Sequence, residues 1–474
     1  LNITDAGGMG LGVYNLFTYT GQLTDNGLSY GSLPSAVTSN FYGLQTGFAN
    51  QVNLLIQSAP NQVLFWNGSD TNPSGIIGGG SGTWGSATNW TDAAASTGYT
   101  WADTFAVFGG AVGTPANPNL VSVEGTQGFI GMQFLTDGYV LEEAVGGGSL
   151  NAINGPGLTT DVRVNTGATA TINADIEGVG RLNKLDGGTL ILGGDNTYGG
   201  GTRFGGGVVV VDADTRLGAA SGDLEFAGGT LRILGTGYNG TGRAITLDAA
   251  GGTLDIADAN NTFVLGQVIG GAGGLTKLGD GTLELSGANT YLGNTTLGAG
   301  TLSLGNVDAL SSGSLIVTGG TLATSLDLGR ADTSGVGVDN NVLLNGNLTV
   351  AGSNDLALTG TVSGTGKLIK NGSGSTLELT GNNTYSGGTD LNAGTIVVGS
   401  NTALGTGSVR AANGTQLDSS QAVTLANELE LAGNLTVLGS NDLTLADTVS
   451  GPGGLIKNGA ATLTLSDGNT YSGG

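Results

Sequence analysis

An eight-residue block recurs four times along this 474-residue chain. The copies begin at Thr189, Thr282, Thr376 and Thr462, so the spacings are 93, 94 and 86 residues. Each copy reads Thr-Leu-x-Leu, ends in Asn and is followed by Thr-Tyr. Regular self-similarity of this kind is typical of stacked repeat architectures, in which each unit buries its apolar surface against the next one.

Within each unit, apolar and polar residues alternate over short segments. Leu283 and Leu285 alternate with polar neighbours, and the same alternation occurs in residues 247–256, 348–358 and 435–445. Side chains of period two line one face of a half-buried β-strand. Asn-Gly, Asp-Gly and Ser-Gly pairs interrupt these segments and indicate turns. No segment keeps the 3.6-residue period of an amphipathic helix, so almost no helix is predicted.

The composition narrows the architecture further. The chain has 94 glycines but only 7 prolines, and 10% of its residues are charged. Abundant Gly without Pro argues against collagen and Pro-rich linkers, and sparse charge argues against disorder. Among sandwiches, barrels, propellers and solenoids, glycine-rich corners without any domain boundary favour the solenoid. We predict an all-β fold, a single-stranded right-handed parallel β-helix of pectin-lyase-like type, with roughly 20–25 residues per coil.

Three segments are predicted from the distribution of residue types. Residues 1–60 are expected to form β-helix coils that continue from a missing upstream part. Residues 61–150 are expected to form an irregular β segment rich in Trp and Phe, and residues 151–474 a β-helix with four repeats of about 90 residues, the last truncated. The chain starts without Met and stops inside the fourth repeat, so we expect it to be an excerpt of a longer protein.

Missing residue types exclude several functions. The chain has no Cys and no His, which excludes disulfides, thiolate and imidazole metal sites and His-dependent nucleophilic triads. The net charge is −23, so the chain lacks the cluster of basic residues that nucleic acid binding requires, and this function is set aside. No metal site and no cofactor are predicted, and no segment matches a calcium loop.

The repeat resembles a known family. Residues 273–291 read Gly-Gly-Leu-Thr-Lys-Leu-Gly-Asp-Gly-Thr-Leu-Glu-Leu-Ser-Gly-Ala-Asn-Thr-Tyr, and similar copies begin near Gly178, Gly364 and Gly451. This pattern resembles the passenger-associated transport repeat, or autotransporter-associated β-strand repeat, of autotransporter proteins. The resemblance implies a passenger domain exported through the outer membrane of a Gram-negative bacterium and displayed at the cell surface, without being embedded in the membrane itself.

The resemblance also implies a class of function. We expect an adhesin, autoaggregation factor or structural stalk rather than an enzyme. The expected partners are a host-surface or matrix protein, a glycan, or copies of the protein on other cells. Two alternatives remain open: a carbohydrate-active β-helix enzyme that uses carboxylates, and an inert spacer that presents a functional head upstream.

Four tryptophans form the one candidate binding region. Trp66, Trp84, Trp90 and Trp101 fall within 36 residues and are accompanied by several phenylalanines. Exposed aromatic residues of this kind form surfaces that bind sugars or proteins. The alternative, which is the more common outcome for a local aromatic cluster, is a small satellite core.

The recurring polar residues have two possible roles. The asparagines could bind a ligand or could close turns, and the lysines could form a positive stripe or could end strands. The structural role is favoured for both series. The two series are Asn196, Asn289, Asn383 and Asn469, and Lys184, Lys277, Lys370 and Lys457.

Carboxylates are the only candidates for catalysis, because glycosidases need two of them about 5–10 Å apart. The densest clusters are Glu142 with Glu143, Asp212 with Asp214, and Asp255 with Asp258. Adjacent residues on a strand point to opposite faces, and no further acidic residue converges on the other pairs in sequence. No catalytic residue is therefore predicted.

Overall fold

The computed structural model describes residues 9–21, 23, 41–329 and 337–474, and this part of the chain is almost entirely β-structure. Most strands form parallel ladders, in which a strand pairs with one that lies about one coil further along the chain. The predicted all-β parallel β-solenoid is confirmed, while its right-handed sense stays a prediction. The chain divides into two compact units, Leu1–Leu231 and Arg232–Gly474, which are described separately.

The strands of unit 1 within the described residues are β1 (Gly12–Thr18), β2 (Phe41–Gln45), β3 (Gln51–Gln57), β4 (Val63–Trp66), β5 (Gly82–Trp84), β6 (Trp90–Thr91), β7 (Gly98–Tyr99), β8 (Phe105–Phe108), β9 (Asn119–Phe129), β10 (Gly131–Phe134), β11 (Tyr139–Ala152), β12 (Thr159–Val164), β13 (Thr169–Ile172), β14 (Asp175–Gly178), β15 (Arg181–Leu185), β16 (Thr189–Leu192), β17 (Thr202–Phe204), β18 (Val208–Val211) and β19 (Leu224–Phe226). A short 3₁₀ helix spans Asp214–Leu217.

Two parallel ladders form the solenoid of unit 1. One runs β4-β8-β10-β12-β15-β17-β19 and the other β5-β9-β11-β13-β16-β18, with β14 paired to β11. In-register stacking places like residues above one another in the core. The rings of Phe204 and Phe226 lie 4.5 Å apart, and those of Phe108 and Phe134 lie 4.9 Å apart. Stacked aromatic columns of this kind bury a large apolar area within each coil.

The first strands of unit 1 are antiparallel. β1 and β2 both pair with β3, whereas coils were predicted for residues 1–60. β3 buries consecutive apolar residues on both of its faces, which a coil with a single core-facing side does not need. One of these faces packs on the solenoid, since Val13 and Leu55 share a buried cluster with Phe65 and Val107.

The strands of unit 2 within the described residues are β21 (Ile245–Leu247), β22 (Gly252–Ile256), β23 (Thr262–Leu265), β24 (Ile269–Gly271), β25 (Leu275–Leu278), β26 (Thr282–Leu285), β27 (Thr295–Leu297), β28 (Thr301–Leu304), β29 (Leu315–Val317), β30 (Thr321–Thr324), β31 (Val342–Leu344), β32 (Leu348–Val350), β33 (Leu356–Leu358), β34 (Val362–Gly364), β35 (Leu368–Lys370), β36 (Thr376–Leu379), β37 (Thr389–Leu391), β38 (Thr395–Val398), β39 (Val409–Ala411), β40 (Thr415–Ser419), β41 (Val423–Leu425), β42 (Leu429–Leu431), β43 (Leu435–Val437), β44 (Leu443–Leu445), β45 (Val449–Ser450), β46 (Leu455–Lys457) and β47 (Leu463–Leu465), while β20 (Thr230–Ile233) spans the division between the units.

The coils of unit 2 are short and regular. Register partners such as Thr282↔Thr301, Thr301↔Thr321 and Leu368↔Thr389 give coils of 19, 20 and 21 residues. Three of the ladders belong to different sides of the coil: β22-β25-β27-β29-β31-β34, β23-β26-β28-β30-β32-β35-β37-β39-β42-β45, and β33-β36-β38-β40-β43-β46. Leucines at alternate positions point inwards from each side and form the core.

The sequence repeat and the coil do not share a common period. From β25 the chain completes four coils through β27, β29, β31 and β34, and only then enters β35 on the next side. The step from β35 to β46 has the same form, through β37, β39, β42 and β45. Equivalent strands of the three repeats in unit 2 therefore lie in three different ladders. Equivalent residues of successive repeats are therefore separated by four coils and also lie on different sides of the coil.

Candidate functional site

The recurring Asn residue ties three consecutive coils together. Asn289 is buried, and its Oδ1 accepts a hydrogen bond from the backbone N of Ile269 at 2.8 Å, one coil earlier. Its Nδ2 donates to the backbone O of Ala309 at 2.6 Å, one coil later. Asn196 and Asn383 make the equivalent pair of bonds at 2.7 and 2.6 Å. Each side chain thus satisfies two buried backbone groups that a corner leaves without ladder partners.

The Tyr residue two positions later completes the corner. Tyr291 is fully buried, and its hydroxyl shares a hydrogen bond of 2.5 Å with Thr295 Oγ1. Tyr198 and Tyr385 make the same contact with Thr202 and Thr389. Burial raises the pKa of Tyr291 to about 12, because the phenolate would lose its hydration. The ring fills the core at a side of the coil where the chain forms no strand.

The recurring Lys residue points inwards and caps backbone carbonyls. Lys277 is fully buried, and its Nζ donates to the carbonyl oxygens of Leu278, Gly279 and Ala299 at 2.6, 2.8 and 3.2 Å. Lys184 makes the equivalent three bonds, at 2.8, 2.9 and 3.2 Å. Three acceptors match the three donors of an ammonium group. The lysine therefore joins its own turn to the next coil.

Burial has an electrostatic consequence for these lysines. Desolvation lowers the pKa of Lys184, Lys277 and Lys370 to about 8, and nearby aspartates oppose the shift. These three side chains are too deeply buried to form the positive stripe weighed in the sequence analysis, whereas Lys457 in the last repeat is exposed. The sequence contained a signal for burial, because Lys277 follows Leu275 by two residues and so lies on the same strand face.

The tryptophan segment is mostly interior. Trp66, Trp84 and Trp90 are each 0% exposed. The ring centroid of Trp90 lies 5.1 Å from that of Trp66 and 5.0 Å from that of Trp84. This arrangement favours a satellite core for the three residues. Trp101 is half-buried against Trp90 at 4.4 Å, and its Nε1 donates to Gly128 O at 2.6 Å. Binding of a ligand by any of the four stays a prediction, and Trp101 is the one with an accessible side chain.

Three of the candidate carboxylates, Asp212, Asp255 and Asp258, make local structural contacts. Asp212 accepts a hydrogen bond from Arg216 at 2.9 Å, and Asp255 lies 3.6 Å from Arg232. Asp258 closes a turn by accepting from the backbone N of Asn260 at 2.9 Å. Across the ranges that the structure describes, no group of three or more acidic residues is placed to hold a metal ion. Each of these carboxylates therefore has a local structural partner.

The repeats are similar to a known repeat family. The Passenger-associated-transport-repeat family model matches residues 182–211, 275–304, 368–398 and 455–474. The first three segments each contain four strands around one Asn-Thr-Tyr corner, for example β25 to β28. The repeat model thus covers the elements that carry the bridging Asn, the buried Tyr and the capping Lys.

One curated relative matches over a longer stretch. The chain is 40% identical over 322 residues to the Adhesin BmaC autotransporter of Brucella suis biovar 1 (strain 1330). The alignment covers 64% of this chain and 9% of that protein, so the chain spans less than a tenth of the relative's length. No solved structure matches the chain. Within the described residues, none of the helical segments is long and apolar enough to cross a membrane.

Replacing Asn289 with Ala is expected to destabilise unit 2 by about 3 kcal/mol, because a buried N–H and a buried C=O each lose their partner at a cost of about 1–3 kcal/mol. The measurement is the urea midpoint of the full chain. Asn294→Ala is the matched control, since Asn294 lies in the same coil but is exposed. Equal shifts for both variants would contradict the bridging role.

The capping lysines predict a pH dependence of stability. Between pH 8 and 10.5 the unfolded chain keeps a proton on each of these lysines that the folded chain has released. The free energy of unfolding should therefore rise with pH in this window, by up to about 1.4 kcal/mol per lysine and pH unit. Denaturation of the parent chain and of Lys277→Met at several pH values measures the effect. A parent slope no steeper than that of the variant would rule out a lowered pKa.

Proposed function

We propose that this chain is a segment of an autotransporter passenger and acts as a length of adhesive solenoid at the surface of a Gram-negative bacterium. Its adhesive contacts are with a host-surface or matrix protein, with a glycan, or with other copies on neighbouring cells. The observation that carries the proposal is the 40% identity to a protein named as an adhesin. The alignment covers 9% of that protein and does not identify the part of the relative that makes its adhesive contacts, so an adhesive role for this segment needs its own test.

The architecture supports an adhesive role. A solenoid presents a long lateral surface in which each coil contacts only its neighbours, and loops can be added without disturbing the core. In unit 2 the offset of the repeats turns equivalent residues towards three sides of the coil. Contacts made by outward residues of the repeats are therefore directed around the solenoid rather than along one face.

A structural stalk is the second candidate. The observation that favours it is that the recurring Asn, Tyr and Lys side chains in the first three repeats are directed inwards and bonded to the chain itself. Residues used in this way stabilise coils and leave binding to other positions. A stalk would hold a binding region, located elsewhere in the protein, at a distance from the cell surface.

An enzymatic role has less support. The relative is named for adhesion, and the candidate carboxylates in unit 2 and near the 3₁₀ helix form ion pairs and close turns.

Export across a membrane is compatible with the composition of the chain, because a sequence without Cys forms no disulfide before it crosses a membrane. A net charge of −23 also opposes aggregation of the unfolded chain.

Beads coated with the 474-residue chain test the proposal. We expect the beads to clump with one another, or to attach to surfaces coated with matrix proteins or glycans, and to lose this behaviour when the chain is denatured. Albumin-coated beads are the control. Beads that stay dispersed and attach to no surface, while circular dichroism shows folded β-structure, would contradict adhesion and support the stalk.

A further inference from the structure

The first coil of the solenoid in unit 1 has an outer edge on each of three sides. β4 is the first parallel strand of one ladder and β5 of the other, while residues 125–129 of β9 form the first strand of the third side. The first strand of a ladder presents backbone N–H and C=O groups to which a further strand can add, so an uncovered edge is a site of self-association. In unit 1 these edges are covered by the two segments that flank β5, residues 67–81 and 85–101.

On the first side, the flanking segments add strands of opposite direction. β4 pairs in parallel with β8 on one edge, whereas β6 pairs antiparallel with its other edge and places Trp90 opposite Trp66. β7 follows as a further antiparallel strand of two residues. The stacked coils of a parallel solenoid all run in the same direction, so an antiparallel strand ends the stack instead of extending it.

On the second side, a side chain and a close crossing of the chain cover β5. Asn89 is buried, and its Nδ2 donates to the backbone O of Thr83, the middle residue of β5, at 2.6 Å. The chain passes close to the same strand at Gly68, since a Cβ atom on Gly82 would lie 2.6 Å from Gly68 O. Gly68 has a φ of 65°, a conformation that favours glycine. The outer edge of β5 is thus occupied by the chain itself.

On the third side, the edge is covered by the indole of Trp101. Its Nε1 donates to Gly128 O at 2.6 Å. The next carbonyl, Phe129 O, accepts from the backbone N of Ile153 one coil later, at 3.1 Å. Successive carbonyls of a strand point to opposite edges, so Gly128 O faces the outer edge. Trp101 therefore supplies the hydrogen bond that a preceding coil would otherwise make.

The core of the first coil is closed as well. Phe108 is stacked on Phe134 of the next coil, with ring centroids 4.9 Å apart. The rings of Trp66, Trp84 and Trp90 lie 6.0, 5.7 and 5.6 Å from Phe108, and all three are 0% exposed. An open coil would leave its last aromatic rings in contact with water, whereas here the tryptophans seal the end of the stack.

The strands that precede the first coil in the sequence lie beside the solenoid. Val13 of β1 bonds through its backbone N and O to the side chain of Gln133, at 2.7 and 2.9 Å. The guanidinium of Arg163 lies 4.4 Å from the ring centroid of Tyr14. Gln133 belongs to β10 and Arg163 to β12, which are two and three coils beyond β4. β1 therefore packs on a lateral face and does not occupy the position of a preceding coil.

We propose that residues 67–81 and 85–101 form an end cap, which closes the first coil of unit 1 against the addition of a strand from a second copy of the chain. Trp90 seals the core together with Trp66 and Trp84 of the coil, and Trp101 covers the third edge. Stacked repeat structures need such terminal caps to stay soluble. The inference goes beyond the adhesive role, because it directs any contact between copies to the lateral faces of unit 1 and away from this end.

Removal of the two covering side chains tests the cap. In Asn89→Ala/Trp101→Phe the carbonyls of Thr83 and Gly128 lose their partners, while an aromatic ring stays at position 101. We expect sedimentation velocity to show association about tenfold tighter than for the parent chain, because the freed carbonyls accept hydrogen bonds from a second copy. Asn154→Ala is the matched control, since it removes a side-chain bond to Ile130 O within the stacked coils and should associate no more than the parent.

The substitution Thr83→Cys shows whether the association uses this edge. The chain has no Cys of its own, and Thr83 is exposed. In the Asn89→Ala/Trp101→Phe background, a short bismaleimide should link two chains through Thr83→Cys. It should not link them through Thr166→Cys, which lies at an exposed corner of a later coil.

Three results would overturn the inference. They are a folded double variant that associates no more than the parent chain, equal linkage through positions 83 and 166, and linkage of the otherwise unchanged chain through Thr83→Cys. Circular dichroism reports whether each variant is folded. If the double variant does not fold, the two single substitutions decide in the same way. Loss of β-structure in both single variants would make the segments a core required for folding and would also overturn the cap.

Discussion

The parallel backbone hydrogen bonds between consecutive coils are the interaction on which the rest of the structure depends. Each coil of about 20 residues donates to and accepts from its neighbours, as in the 3.0 Å bond from Thr318 N to Leu297 O. These bonds fix the register, and the register stacks leucine on leucine and aromatic on aromatic in the core. Corners are the weak points, because the chain there leaves the ladder and exposes backbone groups that must find other partners.

The recurring residues supply hydrogen-bond partners and apolar packing at the corners. One Asn bridges the coils before and after its own, and one Tyr fills the interior beside it. One Lys donates to two carbonyls of its own turn and to one carbonyl of the next coil. Since the repeat spans four coils plus one side in unit 2, these stabilised corners are distributed among the sides of the coil. A solenoid stabilised in this way is free to vary its outward residues, which is where an adhesive surface can develop.

The sequence predicted much of this from local pattern. The alternation around Leu283 and Leu285 predicted strands, and the Gly-rich punctuation predicted coils. The antiparallel strands at the start were not predicted, since the apolar run Leu54 to Ile56 has no glycine corners to reveal its pairing. The sequence predicts a strand-ending role for Lys277, although the spacing Leu-x-Lys places its side chain on the same inward face as Leu275. The register shift of β11 against β9 between Glu143 and Gly148 was not predicted either, because pairing between distant strands is not encoded in any local pattern.

Disulfide trapping tests the in-register stacking of coils most directly, because the chain has no Cys of its own. Thr276 and Thr296 are register partners on adjacent coils, while Ile316 lies one coil further on. Adjacent strands are about 4.8 Å apart, within reach of a disulfide, and alternate coils are about 10 Å apart, beyond it. Oxidation should link Cys residues introduced at 276 and 296 within one chain and leave the pair at 276 and 316 reduced. Linkage of the second pair, or of neither, would contradict the stacked solenoid.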